Sequence, residues 1–220
     1  MKDIPVFTGA HGVATLVLRQ IPWSGTAYVL VRAIWDDAKG FLEECLGFCR
    51  ACGAQKVYAT NGMEELPLPH AYDMCTFSME KTALPKGETL EAELLTGENQ
   101  KDFLSVYDTC FRTLPNAAAY EEKTLHTMIQ EQTAFLYRRC GVPAAIAQIS
   151  KQGLETIGVL PAFRGLGYPL ALTVLPMVPN LTLHLKTISV NHSALELYRR
   201  LGFKPAGTES RWWCLLGGSL

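Results

Sequence analysis

One stretch near the C-terminus constrains the fold of this chain more than any other part of the sequence. Residues 154–160 form an apolar, partly β-branched run typical of a buried strand. Pro161 ends this strand because proline cannot donate to a sheet ladder. Gly165 and Gly167 follow, and residues 170–175 form an apolar run typical of a helix start. This order predicts an anion-binding turn, since glycines allow close approach and helix N-termini carry free N–H groups.

A second motif follows in residues 191–203, which read N-H-S-A-L-E-L-Y-R-R-L-G-F. A glycine turn alone is weak evidence of phosphate binding, because glycine is common in the loops of most proteins. Together, however, the two motifs resemble those of the GCN5-related N-acetyltransferases (GNATs). That family pairs V-x-P-x-x-R-G-x-G with N-x-x-A-x-x-L-Y-x-x-x-G-F at its acetyl-CoA site. The resemblance covers roughly residues 88–216. It implies an α/β fold of the α+β kind, with a sheet that mixes parallel and antiparallel strands. It also implies acetyl-CoA as a co-substrate and no metal.

The resemblance also assigns the coenzyme-binding groups. It implies that five consecutive residues present backbone N–H groups to the diphosphate: Arg164, Gly165, Leu166, Gly167 and Tyr168. The pantetheine arm is expected to bind like an added strand along Ile157 and Val159, with the Val159 N–H polarising the thioester. Asn191 is expected to cap the last helix and to contact the coenzyme. One departure from the family pattern is Pro169, which stands where glycine or alanine is usual and removes one N–H donor.

Two residues are the candidates for proton transfer. By resemblance, Tyr198 is the general acid for the coenzyme thiolate, although its helical spacing with Leu197 and Leu201 also fits a packed core residue. Glu155 on the central strand is the candidate base, and a solvated strand carboxylate is the alternative reading. The implied reaction is direct acetyl transfer in a ternary complex to a primary amine of a small, amino-acid-like acceptor. A non-catalytic acyl-CoA-binding or sensing module is the alternative.

The N-terminal part reads as a degenerate half of the same fold. Residues 1–72 give the order strand, strand, helix, strand, which repeats in residues 144–187. The chain is therefore predicted to divide into an N-terminal GNAT-like lobe with its linker, residues 1–86, and a catalytic domain, residues 87–220, whose first strand is expected at residues 88–95. Where the later half has its glycine turn, the earlier one has Asp36 and Asp37, which would repel a pyrophosphate.

Three of the seven cysteines, Cys45, Cys49 and Cys52, have the C-x3-C-x2-C spacing of radical S-adenosylmethionine iron–sulfur enzymes. Their segment also has the periodicity of an amphipathic helix, on which these cysteines share a face with Leu42 and Leu46. Cluster ligands must instead converge from a loop. Core packing of reduced thiols is therefore favoured over a metal cluster, because buried cysteine behaves as a small hydrophobe.

The balance of charge and hydrophobicity narrows the class of protein. The formal net charge is −1 over 220 residues, so no basic excess indicates a nucleic-acid partner. No apolar run approaches the ~20 residues that cross a bilayer, and no signal-peptide pattern is visible at the N-terminus. These features predict a cytoplasmic protein with no membrane or nucleic-acid partner, and the resemblance implies a small-molecule amine as its substrate. The sequence leaves open a homodimer and the identity of the acceptor.

Overall fold

The computed structural model describes residues 4–217, which contain six α-helices and eleven β-strands. The helices are α1 (Ile21–Ser24), α2 (Ala38–Ala51), α3 (Gln100–Phe111), α4 (Glu122–Gln130), α5 (Gly167–Val174) and α6 (His192–Leu201). The strands are β1 (Val6–Thr8), β2 (Gly12–Val17), β3 (Thr26–Ile34), β4 (Lys56–Thr60), β5 (His70–Glu80), β6 (Glu93–Leu94), β7 (Ala134–Arg139), β8 (Val142–Ile149), β9 (Leu154–Val159), β10 (Thr182–Ile188) and β11 (Lys204–Leu216).

The strands form two hydrogen-bonded sheets. The seven-stranded sheet has the order β1-β2-β3-β4-β11-β5-β10, and the four-stranded sheet has the order β6-β7-β8-β9. Within the first sheet, β3 and β4 are parallel, and β11 pairs antiparallel with β4 through Trp213 and Ala59. In the second sheet, neighbouring strands are antiparallel throughout.

The chain separates into two compact units. The first comprises residues 1–75, 188–190 and 208–220, and the second comprises residues 76–187 and 191–207. This partition differs from the predicted division after residue 86, because the chain's last segment pairs with β4 and so joins the N-terminal unit. The division into a catalytic domain and a degenerate lobe stays a prediction.

The first unit packs α2 against β2, β3 and β4. The buried face of α2 consists of Phe41, Leu42, Cys45 and Cys49, which contact a core that includes Leu16 and Val29. The predicted helical face is therefore confirmed for Cys45 and Cys49, whereas Cys52 is exposed at the helix end. A separate aromatic cluster is formed by Tyr28, Tyr58, Tyr72 and Trp212.

The second unit packs helices against β8 and β9. Both α3 and α5 contact this strand pair, and α6 contacts α5. The core on the α5 side includes Leu170, Leu183 and Leu201, with Ile157 and Val159 partly buried against it. Because Pro176 has no N–H to donate, α5 stops at Val174 and continues only as a short 3₁₀ turn.

The predicted first strand of the catalytic domain is mostly wrong, since only Glu93–Leu94 of residues 88–95 is strand. The preceding residues instead lie along α5. Leu90 donates its N–H to the Thr173 hydroxyl over 2.8 Å, and that hydroxyl contacts the Leu90 carbonyl at 3.3 Å. A side chain on a helix thus provides the hydrogen bonds that a neighbouring strand would have supplied.

Two further findings concern the described residues only. No helix in residues 4–217 is both long enough and apolar enough to span a bilayer. Nor do three or more histidine, cysteine or acidic side chains in that range converge as ligands for a metal ion.

Candidate active site

The turn between β9 and α5 contains several backbone donors that the fold leaves unused. Gly165 adopts φ +98°, a left-handed conformation that favours glycine. Within the described part of the chain, the N–H groups of Arg164, Gly165, Gly167 and Tyr168 donate no hydrogen bond. Consecutive free N–H groups around a left-handed residue at a helix N-terminus form a nest suited to an anion. We call these four N–H groups the amide nest.

One predicted donor is engaged by the turn itself. The Leu166 N–H donates to the Phe163 carbonyl over 3.4 Å, and Pro169 has no N–H to offer. The first N–H of the helical ladder is that of Leu170, which donates to Leu166 over 3.0 Å. Four of the five predicted donors are therefore unused by the turn, and their role in binding the coenzyme stays a prediction.

The matching helix start in the first unit carries acidic side chains that accept hydrogen bonds from its backbone. Asp37 is the N-cap of α2, and its carboxylate accepts from the Gly40 N–H at 2.9 Å. The neighbouring Asp36 carboxylate accepts from the Asp37 N–H at 2.7 Å. In α5 the N-cap residue is Leu166, which has no side chain able to do the same. The two helix starts therefore differ in charge, since α2 carries two carboxylates at its start and α5 carries none.

One edge of β9 has free backbone groups. The Leu160 N–H donates to the Ala144 carbonyl, so alternate residues of β9 direct their N–H and C=O groups toward β8. Ile157 and Val159, the intervening residues, therefore direct theirs toward the opposite edge. The four-stranded sheet ends at β9, and no strand of the described chain pairs with that edge along Ile157 and Val159.

The neighbouring β10 meets β9 only at its start. A parallel bridge joins Gly153 to His184, and the His184 N–H donates to the Gln152 carbonyl over 2.9 Å. Beyond this point β10 is hydrogen-bonded within the seven-stranded sheet, while β9 remains in the four-stranded one. The two strands thus separate toward the amide nest, which leaves the edge of Ile157 and Val159 unpaired within the described chain.

Tyr198 lies on α6 and is only 6% exposed. Its ring packs on Phe77 and Phe203, with centroids 6.3 and 6.1 Å away. Burial raises the pKa of its phenol well above the ordinary range, so the hydroxyl is protonated at neutral pH. The same helix begins at Asn191, whose side-chain oxygen accepts from the Ala194 N–H at 3.2 Å, which confirms its predicted capping role.

No protein-family model and no curated protein matches the chain. Among solved structures, a conserved protein of unknown function from Staphylococcus epidermidis ATCC 12228 aligns with TM-score 0.61 at 14% identity, over 97% of this chain and 94% of that one. A GNAT-family acetyltransferase from Colwellia psychrerythraea aligns with TM-score 0.53 at 14% identity, over 95% and 84%. A tandem GNAT protein of the clavulanic acid biosynthesis pathway aligns with TM-score 0.51 at 13% identity, over 100% and 85%. The chain has the GNAT fold.

The predicted fold class is thus confirmed, and the tandem GNAT neighbour is consistent with the internal repeat. In both halves of this GNAT fold, an antiparallel strand pair is followed by a helix and then by a strand parallel to the second of the pair. Only the second half has a helix start without carboxylates. The carboxylates predicted for the first half at Asp36 and Asp37 occupy the start of α2 there.

Glu155 sits at an irregularity of β9 in this GNAT fold. Gln148 pairs with Thr156 and Ile149 with Leu154, so Glu155 is the extra residue of a β-bulge. Its side chain is exposed and makes no ion pair with any residue of the described chain. Bulges often reorient functional side chains, and this one carries the Glu155 carboxylate. No contact joins that carboxylate to Tyr198.

Sequence reasoning missed Tyr120, which lies in the segment between α3 and α4. Its hydroxyl donates to the Gln148 side-chain oxygen over 2.6 Å and lies 3.2 Å from the Thr156 hydroxyl. Burial, and to a smaller extent the nearby charge of Glu155, raises the pKa of this phenol. Its position after three alanines gave little indication of a buried hydroxyl, because the partners of that hydroxyl are distant in sequence.

A cavity of about 1230 Å³ opens elsewhere in the second unit, beside α4. Its walls include Met128, Phe135 and Ile149, and none of the predicted coenzyme-binding or catalytic residues lines it. Arg164 is exposed beside the amide nest. The predicted phosphate-binding residues are therefore on an open turn rather than in this cavity.

Proposed function

We propose that this protein is an acetyl-CoA-dependent N-acetyltransferase that transfers the acetyl group directly to a primary amine of a small molecule or amino-acid-like acceptor. The GNAT fold supports acyl transfer as the general chemistry. The donor, the acceptor class and the direct transfer within a ternary complex are our proposal. The amide nest is the single observation that carries it.

The nest suits the coenzyme diphosphate because it offers several N–H donors and the positive end of the α5 dipole. Four unsatisfied N–H groups surround Gly165, and no atom lies within 4 Å of the position that a Cβ would occupy there. A bulky, doubly charged group can thus approach the backbone without a clash, and the α5 dipole favours it. From the nest, the free edge of Ile157 and Val159 leads back along β9 and offers amide partners for the pantetheine arm.

In the proposed reaction, each proton has a donor and an acceptor. The Val159 N–H binds the thioester oxygen as the acceptor nitrogen forms the new C–N bond and the C–S bond breaks. Glu155 accepts the proton lost by nitrogen, directly or through one water. Tyr198 donates its proton to the departing sulfur and regains one from solvent.

A thiol-release assay tests this function. The purified protein is mixed with acetyl-CoA and a panel of amino acids, polyamines and amino sugars, and free CoA is followed with a thiol reagent. We expect release that requires both an amine and the protein. Reactions without amine measure background hydrolysis, and calorimetric titration with CoA measures binding separately.

The two measurements distinguish the alternatives. CoA binding with no release from any amine of the panel would contradict acetyl transfer and support the acyl-CoA-sensing module. The absence of CoA binding would overturn both. A thermal-shift screen of amines in the presence of CoA then ranks the acceptors, since a ligand that binds only the native state raises the melting temperature.

A further inference from the structure

A cation from α6 lies beside the first turn of α5. The Arg200 guanidinium carbon is 4.8 Å from the centroid of the Tyr168 ring, which is within the range of a cation–π contact. Tyr168 is the second residue of α5, and its N–H belongs to the amide nest. The ring of a nest residue therefore holds a guanidinium close to the open helix start.

The charge of Arg200 is not neutralised by the protein. Glu196 lies one helical turn earlier on α6, at a spacing that often gives an ion pair. In residues 4–217, however, no carboxylate lies within ion-pair distance of Arg200, and the side chain is exposed. A guanidinium that rests on a ring and lacks a carboxylate partner keeps its planar donors available for another anion.

We infer that Arg200, positioned by the Tyr168 ring, binds a phosphate group of the coenzyme alongside the amide nest. This inference rests on the proposed function, because it assumes that coenzyme A occupies the nest. The guanidinium is suited to the task, since its fork of N–H donors matches phosphate oxygens two at a time. The nest supplies uncharged donors for the same ligand, so Arg200 adds the charge that the N–H groups lack.

Coenzyme A carries two sources of phosphate, the diphosphate and the ribose 3′-phosphate. The chemistry of recognition is the same for both, so the experiment separates them with two ligands. Calorimetric titrations of the wild type and of Arg200→Gln use coenzyme A and 3′-dephospho-coenzyme A. Arg199→Gln is the matched control, because Arg199 precedes Arg200 on α6, is also exposed and has no ring or carboxylate contact in the described chain.

We expect Arg200→Gln to weaken coenzyme A binding about tenfold, which corresponds to the loss of one charge-assisted hydrogen-bonded contact. Arg199→Gln is expected to bind as the wild type does. A loss confined to coenzyme A assigns Arg200 to the 3′-phosphate, and an equal loss for both ligands assigns it to the diphosphate. Unchanged affinity for both ligands in Arg200→Gln overturns the inference.

Two further binding measurements distinguish a charge contact from a merely structural effect of the substitution. The difference between wild type and Arg200→Gln should shrink as sodium chloride is raised, because salt screens a charge contact. Arg200→Lys should recover part of the affinity by keeping the charge without the fork. Tyr168→Leu should bind coenzyme A more weakly than Tyr168→Phe, which keeps the ring.

The outcomes also distinguish failure of this inference from failure of the proposed function. Failure of the wild-type protein to bind either ligand overturns the proposed function, and the inference with it. Wild-type binding that none of the Arg200 substitutions alters overturns the inference alone. Circular dichroism melting of each variant checks that any loss of affinity occurs in folded protein.

Discussion

At position 165 a single glycine determines whether an anion can approach the start of α5. An aspartate there would place a negative charge against the bound diphosphate without any steric clash, because nothing lies within 4 Å of its Cβ. We expect Gly165→Asp to weaken coenzyme A binding by about 2 kcal/mol, roughly 30-fold, from charge repulsion at an effective dielectric near 20. Calorimetric titration with coenzyme A measures the change.

The asparagine variant is the matched control for this prediction. Asparagine has nearly the same shape as aspartate and tolerates the left-handed conformation about as well, so both variants carry the same backbone strain. Gly165→Asn should therefore bind coenzyme A more tightly than Gly165→Asp. Equal affinities for the two variants would mean that the diphosphate lies elsewhere.

The Tyr198 hydroxyl gives a prediction about rate rather than affinity. If it protonates the departing sulfur, Tyr198→Phe should lower kcat by about 100-fold, the lower range of general acid catalysis, and leave the Kd for coenzyme A unchanged. Tyr137→Phe, a partly buried tyrosine of β7 outside the site, is the control and should keep kcat. Parallel losses of kcat and affinity would indicate a packing role for Tyr198 instead.

Some site residues could be predicted because their roles are local. The cap at Asn191 and the turn at Gly165 involve residues within a few positions of each other, and the structure shows both. Tyr120 and Arg200 could not be predicted in the same way. Their partners, Gln148 and Tyr168, lie 28 residues away and on another helix respectively, so only tertiary packing brings them together.

At the scale of elements, the bridge between β9 and β10 sets where the two strands begin to separate. Gly153 fits there because a Cβ would lie 1.8 Å from the His184 carbonyl oxygen, an atom of the backbone that cannot move cheaply. We expect Gly153→Ala to lower the free energy of unfolding by about 3 kcal/mol, at the upper end of overpacking effects. Chemical denaturation followed by circular dichroism measures this loss.

Gly97 provides the comparison within the same unit. It precedes α3, and no atom lies within 4 Å of its Cβ position. Gly97→Ala should change stability by no more than about 0.5 kcal/mol, as exposed substitutions usually do. A Gly153→Ala protein as stable as Gly97→Ala would show that the bridge is not a tight constraint on the strands.

The periodic elements were predictable from the sequence, and the strands that depend on distant partners were not. The last strand of the order predicted for residues 1–72 is present as β4, residues 56–60, because its apolar run is local. The strand expected at residues 88–95 shrinks to two residues, since a hydroxyl on α5 takes the hydrogen bonds of Leu90. Nor does anything in the sequence of β11 indicate that Trp213 pairs with Ala59 of β4.

At the scale of the whole molecule, the two units differ in their content of tryptophan, and so in their fluorescence. The chain has four tryptophans, Trp23, Trp35, Trp212 and Trp213, and all four belong to the first unit. Tryptophan fluorescence therefore reports the surroundings of side chains in that unit, while circular dichroism reports the backbone of both. The amide nest and Tyr198 belong to the second unit, so ligand effects on the two signals can be separated.

The buried thiols of the first unit make its stability depend on alkaline pH. Burial is the main cause that raises the pKa of Cys45 to about 12 and that of Cys49 to about 11, from an ordinary value of 9.0. The folded state thus binds these protons more tightly than the unfolded chain does. Their contribution to stability is complete below about pH 9 and is lost as pH rises from there through the folded-state values.

We therefore expect the free energy of unfolding of the first unit, measured by urea titration of tryptophan fluorescence under reducing conditions, to fall between pH 9 and pH 11. Removing one buried thiol, as in Cys45→Ala, should lower stability at pH 7.5 by leaving a small cavity and should flatten the alkaline slope. Cys52→Ala removes an exposed thiol and should leave the slope as in the wild type. Equal slopes in all three proteins would show that the alkaline loss arises from groups other than Cys45.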